Sequence, residues 1–358
     1  MMRRLLTLTL ISMSVLACKP EPTDPQNPQN PGNPAVDSWL IPVNEIIDSG
    51  VGLDGIPSID NPQFSSVTQM DGRLQEEELL VGVRIGEGWK LYPHRYLDYH
   101  ELVNDQLDTA FYALNYCPLT GTALAWDRKI EGEVSSFGVS GLLFNSNLMP
   151  YDRGTLSEWS QMLMQAVHGP KKRDRAQLYL AVEMPWSTWK KAAPQAMVMD
   201  DRTGFDRPYE VKLYGTYDAD DKLFFPVKVL DERLHIKERV YTIIIGDDAR
   251  AYRLKDFAGG KLYQEAFRFQ EMVIVGHESE GFIVSYGRKL PDGTRLTFTY
   301  LKDQLPLIME DQEGNKWDLF GRAVSGPRTG THLNTNRALM GYWFVFGAFY
   351  PGVEIFSP

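Results

Sequence analysis

The sequence predicts a mainly β fold (α+β, with few short helices) arranged as two tandem, internally duplicated β-rich domains. Three observations lead there. Glycine (30) and proline (22) are together slightly abundant, which favours turns and strands over long helices. Apolar, β-branched runs end in glycine–acidic pairs, the pattern of a strand entering a turn. The chain also aligns with itself at a shift of 160 residues. Its 358 residues exceed what one hydrophobic core usually organises and suit about two domains. With 43% hydrophobic and 23% charged residues, the composition excludes a largely disordered chain, a collagen-like fibre and a polytopic membrane protein. A net charge of −10 argues against nucleic acid as a partner. Two cysteines exclude a disulfide scaffold.

The N-terminus carries an export signal. Arg3 and Arg4 precede a run from Leu5 to Ala17 that is mostly apolar and too short to span a bilayer. It ends in Val15-Leu16-Ala17-Cys18, which resembles a bacterial lipobox. Residues 1–17 are therefore read as a lipoprotein signal peptide and Cys18 as the lipidated N-terminus. Arg3-Arg4 lacks the polar surroundings of a twin-arginine signal. Residues 18–36 then form a linker in which Pro22, Pro25, Pro28, Pro31 and Pro34 recur at the three-residue period of polyproline II. At ~3.1 Å per residue such a tether holds the body up to roughly 55 Å from the membrane. The expected address is the bacterial cell envelope, at the outer membrane facing the periplasm or at the cell surface. Two acyl chains give stable attachment where one is marginal.

The repeats are expected at 37–197 and 198–358. Gly55, Asp60, Phe64, Asp71, Arg73, Leu74, Glu78, Ile85, Gly86 and Tyr92 meet Gly215, Asp220, Phe224, Asp231, Arg233, Leu234, Glu238, Ile245, Gly246 and Tyr252. Trp159 and Trp317, and Gly169-Pro170 and Gly326-Pro327, continue the match. A hairpin is expected in each copy, from Leu79 through Gly86 to Tyr92 and from Val240 through Gly246 to Tyr252. Further strands are expected at 110–117, 123–126, 272–275, 282–286 and 295–299, with short helices at 157–167 and 186–193. The uncharged stretch 338–353 contains Pro351 and three glycines. It falls short of a ~20-residue span and reads as a buried terminal segment.

With Cys18 lipidated, Cys117 is the one free thiol. It ends an apolar run and is followed by Pro118 and Gly121, which places it at a strand exit. A thiol reacts as thiolate and needs a proton acceptor or positive charge nearby. His100 is the candidate base, oriented by Asp105 or Glu101 in a nucleophile–base–orienter chain. Setting Tyr116 against Tyr286 puts Cys117 opposite Gly287, and the 160 shift puts His100 opposite Gly260. His168 meets Ser325 where the Gly-Pro pairs align. The first copy thus holds reactive side chains that the second lacks, so the first is read as the site and the second as scaffold.

These residues also resemble a family. Tyr116-Cys-Pro-Leu-Thr-Gly-Thr122, His100-Glu-Leu-Val-Asn-Asp105, Ser140-Gly-Leu-Leu-Phe-Asn-Ser-Asn147 and Tyr151-Asp-Arg-Gly-Thr-Leu-Ser-Glu-Trp-Ser-Gln161 look like motifs of the bacterial family catalogued as domain of unknown function 3179. The similarity runs from about Asp54-Gly55 to the C-terminal aromatic segment. It implies an exported protein with a Cys-Pro-Leu-Thr-Gly element and no established activity. The chain departs from the pattern at Met149-Pro150, and His168 is not part of it.

Within 140–161, Ser140, Asn145, Ser146 and Asn147 offer hydroxyls and amides in a turn-forming stretch, and Asp152-Arg153 suits pairing or anion binding. Thr155 or Ser157 suits a helix N-cap. Arg153, Asn145 and Asn147 are the candidate contacts to a small polar ligand. No cofactor is predicted. Copper is the metal that fits, on Cys117, His100 and His168 with a methionine such as Met149, Met162 or Met164, although no recognised ligand spacing is present. Gly50-Val-Gly52-Leu-Asp-Gly55 fits a dinucleotide-binding pattern, but Pro57 and Pro62 stand where its helix must begin. No phosphate loop or Gly-x-Ser-x-Gly elbow occurs. Lys171-Lys172-Arg173 with Arg175 reads as a solvated loop. Three functions remain open on sequence alone: a thiol-dependent site, nucleophilic or redox; a binding module for copper or an envelope component; and a structural lipoprotein.

Overall fold

Among the described residues strand outweighs helix by 42% to 11%, and the four α-helices are all short. The computed structural model describes residues 38–358; the signal peptide, Cys18 and the linker lie outside them.

The first expected hairpin is present as Leu79–Ile85 and Gly88–Pro93, closed by a two-residue turn in which Gly86 takes φ +56°. Glycine supplies that left-handed conformation without steric cost, and a tight hairpin needs it. The second is Arg239–Ile245 and Asp248–Arg253, with Gly246 at φ +64°. Each hairpin gains one antiparallel and one parallel neighbour. Ala181–Pro185 and Met197–Met199 flank the first, and Ala338–Tyr342 and Glu354–Ile355 flank the second.

A three-stranded meander follows each hairpin. Leu102–Leu107, Ala110–Cys117 and Thr122–Asp127 form the first; Lys261–Phe267, Gln270–His277 and Phe282–Gly287 form the second. A run of four paired strands follows in each half, Phe137–Phe144 to Gln165–His168 and Phe298–Tyr300 to Ala323–Ser325, in the first half after the small pair Lys129–Ile130 and Glu133–Val134. The hairpin, the meander and the run of four strands thus occur in the same order in both halves, whereas Ile46–Asp48, Phe64–Ser66, Lys129–Ile130, Glu133–Val134 and Leu178–Tyr179 of the first have no strand counterpart among the described residues of the second.

This register corrects one alignment. Ala110–Cys117 corresponds to Gln270–His277, so His277 rather than Gly287 stands at the position of Cys117. The shared tyrosines had drawn the match ten residues too far; Tyr286 answers Trp126.

The helix expected at 157–167 is also absent. Glu158–Ser160 and Gln165–His168 are antiparallel strands around a tight turn in which Met164 takes φ +53°, a conformation no helix contains. Thr155 and Ser157 therefore cap no helix. Both bond within the Asp152 turn instead. The helix expected at 186–193 is present as Trp186–Ala192.

The two halves are not separate compact bodies, since residues 36–358 form one unit. The boundary expected at 197/198 falls inside Met197–Met199, which pairs with strands of the first half. One buried cluster joins Trp186 and Trp189 to Trp317 and Phe320, and another joins Cys117 and Trp126 to Trp343 and Phe346. Apolar faces too small to close alone are thus buried against each other across the two halves. The stretch 338–353 is the strand Ala338–Tyr342 and the helix Trp343–Phe349, both largely buried. Among the described residues no helix is long and apolar enough to cross a membrane.

Candidate functional site

Strand Ala110–Cys117 ends where Pro118 removes the next ladder donor, and the turn closes with the Thr120 amide donating to the Cys117 carbonyl at 3.2 Å. Gly121 completes it at φ +59°, so close beneath Tyr342 and Arg239 that a Cβ there would lie 3.1 Å from the tyrosine ring. Cys117 is only 1% exposed, and its thiol donates to the Ser146 carbonyl at 3.9 Å. Burial, followed by the nearby Glu101 carboxylate, pushes the thiol up to about 11. The Thr120 hydroxyl and amide and the Leu148 amide favour the thiolate, but burial outweighs them.

A buried polar network holds this turn. Asn147 donates to the Gln161 carbonyl oxygen at 2.7 Å and to the Thr120 hydroxyl at 3.0 Å, and Thr122 donates to the same Gln161 oxygen at 2.7 Å. Gln161 returns its amide hydrogens to the Asn115 and Thr122 carbonyls. All four side chains are fully buried, so each bond made avoids the cost of an unpaired polar group.

The other expected site residues have partners of their own. His100 is fully buried, with Nδ1 at 2.8 Å from the Pro57 carbonyl and Nε2 at 2.7 Å from the Tyr209 hydroxyl. The carbonyl can only accept, so Nδ1 carries the proton and Nε2 accepts from tyrosine. Burial lowers the imidazole from its ordinary range and keeps it neutral. Asp105 accepts from Lys90, Tyr92 and Tyr112. Both groups are spent, and no hydrogen-bonded chain Cys117–His100–Asp105 forms.

Arg153 binds Asp54 at 2.9 Å, Ser58 at 3.1 Å and the Phe137 carbonyl at 3.1 Å, which pins the 54–60 loop to the sheet. Asn145, at φ +49°, accepts from the Lys228 amide. Asn147 belongs to the buried network. His168 stacks on Trp39 with ring centroids 4.2 Å apart. Cys117, His100 and His168 do not converge, and among the described residues no group of three or more His, Cys, Asp or Glu is placed to hold a metal ion.

A cleft of about 600 Å³ opens beside the thiol, and Tyr116 and Pro118, the neighbours of Cys117, form part of its wall. Helix His94–His100 turns His94 and Asp98 into it from successive turns. His94 meets the buried Glu183 carboxylate at 3.2 Å, and Glu183 is bonded on its other side to Arg239. Burial alone would raise Glu183, but Arg239 and His94 hold it below the usual carboxylate range. Among the described residues Asp98 makes no ion pair or hydrogen bond; burial, opposed by His94 and Lys212, pushes its carboxyl up to about 6. Glu101, at the base of the same helix and bonded by the Tyr214 hydroxyl at 3.4 Å, is pushed by burial up to about 8.

Sequence reasoning missed His94, Asp98, Glu183 and Arg239. The signal was present in the comparison of the halves: Leu254 answers His94, Ala258 answers Asp98 and Met340 answers Glu183.

No curated protein and no solved structure matches the chain. A family model does, over residues 53–353, which include the hairpins, both meanders, the Cys117 turn and the cleft; the chain belongs to the family described as protein of unknown function (DUF3179).

Proposed function

We propose that the protein is an envelope lipoprotein, anchored through Cys18, that carries a thiol-dependent site at Cys117. The observation that carries this reading is the position of the sulfur. It sits at a strand exit directly behind the wall of a cleft, with the Thr120 hydroxyl and amide and the Leu148 amide favouring its ionised form. Groups that favour ionisation beside the sulfur are what a reacting thiolate requires, and here burial outweighs them. His100 and Asp105 then act by holding the strands and the 203–209 segment in place rather than as base and orienter. Asn147 with Gln161 positions the turn. The ionisable group that bears most directly on the sulfur is Glu101, and reaction requires the wall formed by Tyr116 and Pro118 to admit the reagent.

The test is alkylation of the native full-length protein by a small thiol-selective reagent, read by intact mass, with Cys117→Ser as the control. A single modification in the folded state, absent in the variant, supports the reading. Modification only after denaturation defeats it and leaves Cys117 as a core side chain. The anchor is tested separately, by incorporation of an alkynyl fatty acid in cells. Label that persists in Cys18→Ser removes the lipid attachment from the proposal.

A further inference from the structure

The cleft beside Cys117 has features that thiol chemistry does not use. Tyr116 and Tyr342 are 5% and 6% exposed, both line the cleft, and neither hydroxyl has a hydrogen-bond partner among the described residues. Neither hydroxyl is itself sealed from solvent, so both are open to a ligand in the cleft. Tyr116 lies within electrostatic reach of both Asp98 and Tyr342, so the three groups share one region of the floor.

The charges around that floor are almost all spent within the protein. Arg95 binds Glu78 and Glu210, and Lys212 binds Asp218. Arg239 and His94 share Glu183. Lys237 donates to the Lys222 carbonyl at 2.8 Å and to the Tyr217 carbonyl, with its ammonium 3.4 Å from the centre of the Tyr217 ring. Glu77 is exposed at the rim. Inside the cleft, and among the described residues, the carboxylate without a partner is that of Asp98.

An anionic ligand would meet arginines already paired with carboxylates, a Lys237 ammonium already held by two carbonyls, and one carboxylate that repels it. A purely apolar ligand would leave two hydroxyls and a carboxyl unpaired, at about 1–3 kcal/mol each. The complement is a ligand rich in hydroxyls, uncharged or carrying a single positive charge. It would donate to Asp98 and exchange hydrogen bonds with Tyr116 and Tyr342. Its C–H faces would pack on the ring of Tyr214, which stands in the same wall. A cleft of about 600 Å³ falls within the size range of small-molecule sites.

The second half lacks this chemistry at the corresponding places. There Gly276 stands for Tyr116, Pro185 for Tyr342 and Ala258 for Asp98, and a side chain at Gly281 would strike Pro185 as one at Gly121 would crowd Tyr342. The polar floor is thus not a requirement of the fold, because the other half builds the same junction from apolar residues and glycine.

We propose that this cleft is a saccharide-binding site whose floor is formed by Tyr116, Tyr342 and Asp98. The site stands apart from the thiol reading, since none of its contacts involves the sulfur. The test is saturation-transfer NMR on the full-length protein with glucose, N-acetylglucosamine and glucosamine, followed by calorimetry on whichever sugar responds. Transfer to at least one sugar is expected. Its affinity should fall at least tenfold in Asp98→Asn and in the double variant Tyr116→Phe/Tyr342→Phe, with unchanged unfolding midpoints, while Cys117→Ser binds as the parent does. Transfer to none of the three sugars overturns the proposal, and so does equal affinity in both floor variants. If the double variant unfolds early, Asp98→Asn alone decides.

Discussion

Trp159 donates its indole N–H to the carboxylate of Asp152 at 3.2 Å, across the turn that joins two strands of the first half. The second half makes the same bond, from Trp317 to Asp311 at 2.9 Å. The resemblance extends outward. Ser157 accepts from the Lys171 amide at 3.0 Å just after Gly169-Pro170, and Asn315 accepts from the Arg328 amide at 2.7 Å just after Gly326-Pro327. Each carboxylate also gathers donors from its own turn, Thr155 in one half and Asn315 in the other.

Asp152 and Asp311 are therefore structural anchors. Asp152→Ala is expected to leave the buried Trp159 N–H and the Thr155 amide without their acceptor, a loss of about 1–3 kcal/mol. Asp152→Asn keeps one acceptor oxygen and should lose less. The same order is expected at Asp311. Urea unfolding of the four variants checks this, and an Asp152→Ala midpoint equal to the parent's would contradict it.

What the sequence could reveal depended on whether a signal was local. The hairpins at Gly86 and Gly246 were legible because turn chemistry and β-branched runs act over a few residues. Trp186–Ala192 was legible for the same reason. The stretch 157–167 misled because Trp159, Met162 and Ala166 sit at helix-like spacing, yet they point into the core from two strands and a turn that the fold imposes. The site was half legible. Cys117 announced itself by its motif, whereas His100 was assigned to it on proximity in sequence, and the fold spends that ring on Pro57 and Tyr209. Glu183 and Arg239 could not be joined by any local rule. They lie 56 positions apart and meet only because strands Ala181–Pro185 and Arg239–Ile245 come from different halves.

The thiol of Cys117, at about 11 against an ordinary 9.0, sets a pH signature. Between pH 7 and pH 10 the thiolate fraction rises about tenfold per pH unit, and native alkylation should rise with it. In denaturant the rise should level off near the ordinary value. Rate against pH in the two states checks this; a native profile that levels off below pH 9 would sink it.

Glu101 makes stability fall as pH rises. Its folded value of about 8 lies above its ordinary 4.5, so its contribution is complete below pH 4.5 and is lost progressively up to about pH 8. Glu101→Gln removes this dependence while keeping a group that can bond Tyr214. It should match the parent near pH 4.5 and exceed it increasingly toward pH 8. Guanidinium unfolding at pH 5, 6.5 and 8 measures the gap, and a gap that stays constant would show that the carboxyl is not held protonated by burial.

Glu183 works in the opposite sense. Arg239 and His94 hold it below its ordinary 4.5 despite burial, so its contribution is present above pH 4.5 and is lost as pH falls through the folded value. Glu183→Ala leaves Arg239 buried against Tyr342 without its counter-charge and frees His94 from its partner. Removing one member of a buried pair costs about 3–5 kcal/mol, and the cost here should sit toward the lower end because the Arg239 side chain is 25% exposed. Arg239→Ala strands Glu183 more completely, since that carboxylate's side chain is only 7% exposed, and it should cost at least as much. The Glu183→Ala deficit should be full at pH 7 and shrink once the pH drops well below 4.5, where the parent's carboxylate is also discharged. Unfolding midpoints at pH 7 and pH 3 separate the cases: a deficit of equal size at both would mean that Glu183 acts through packing and not through its charge.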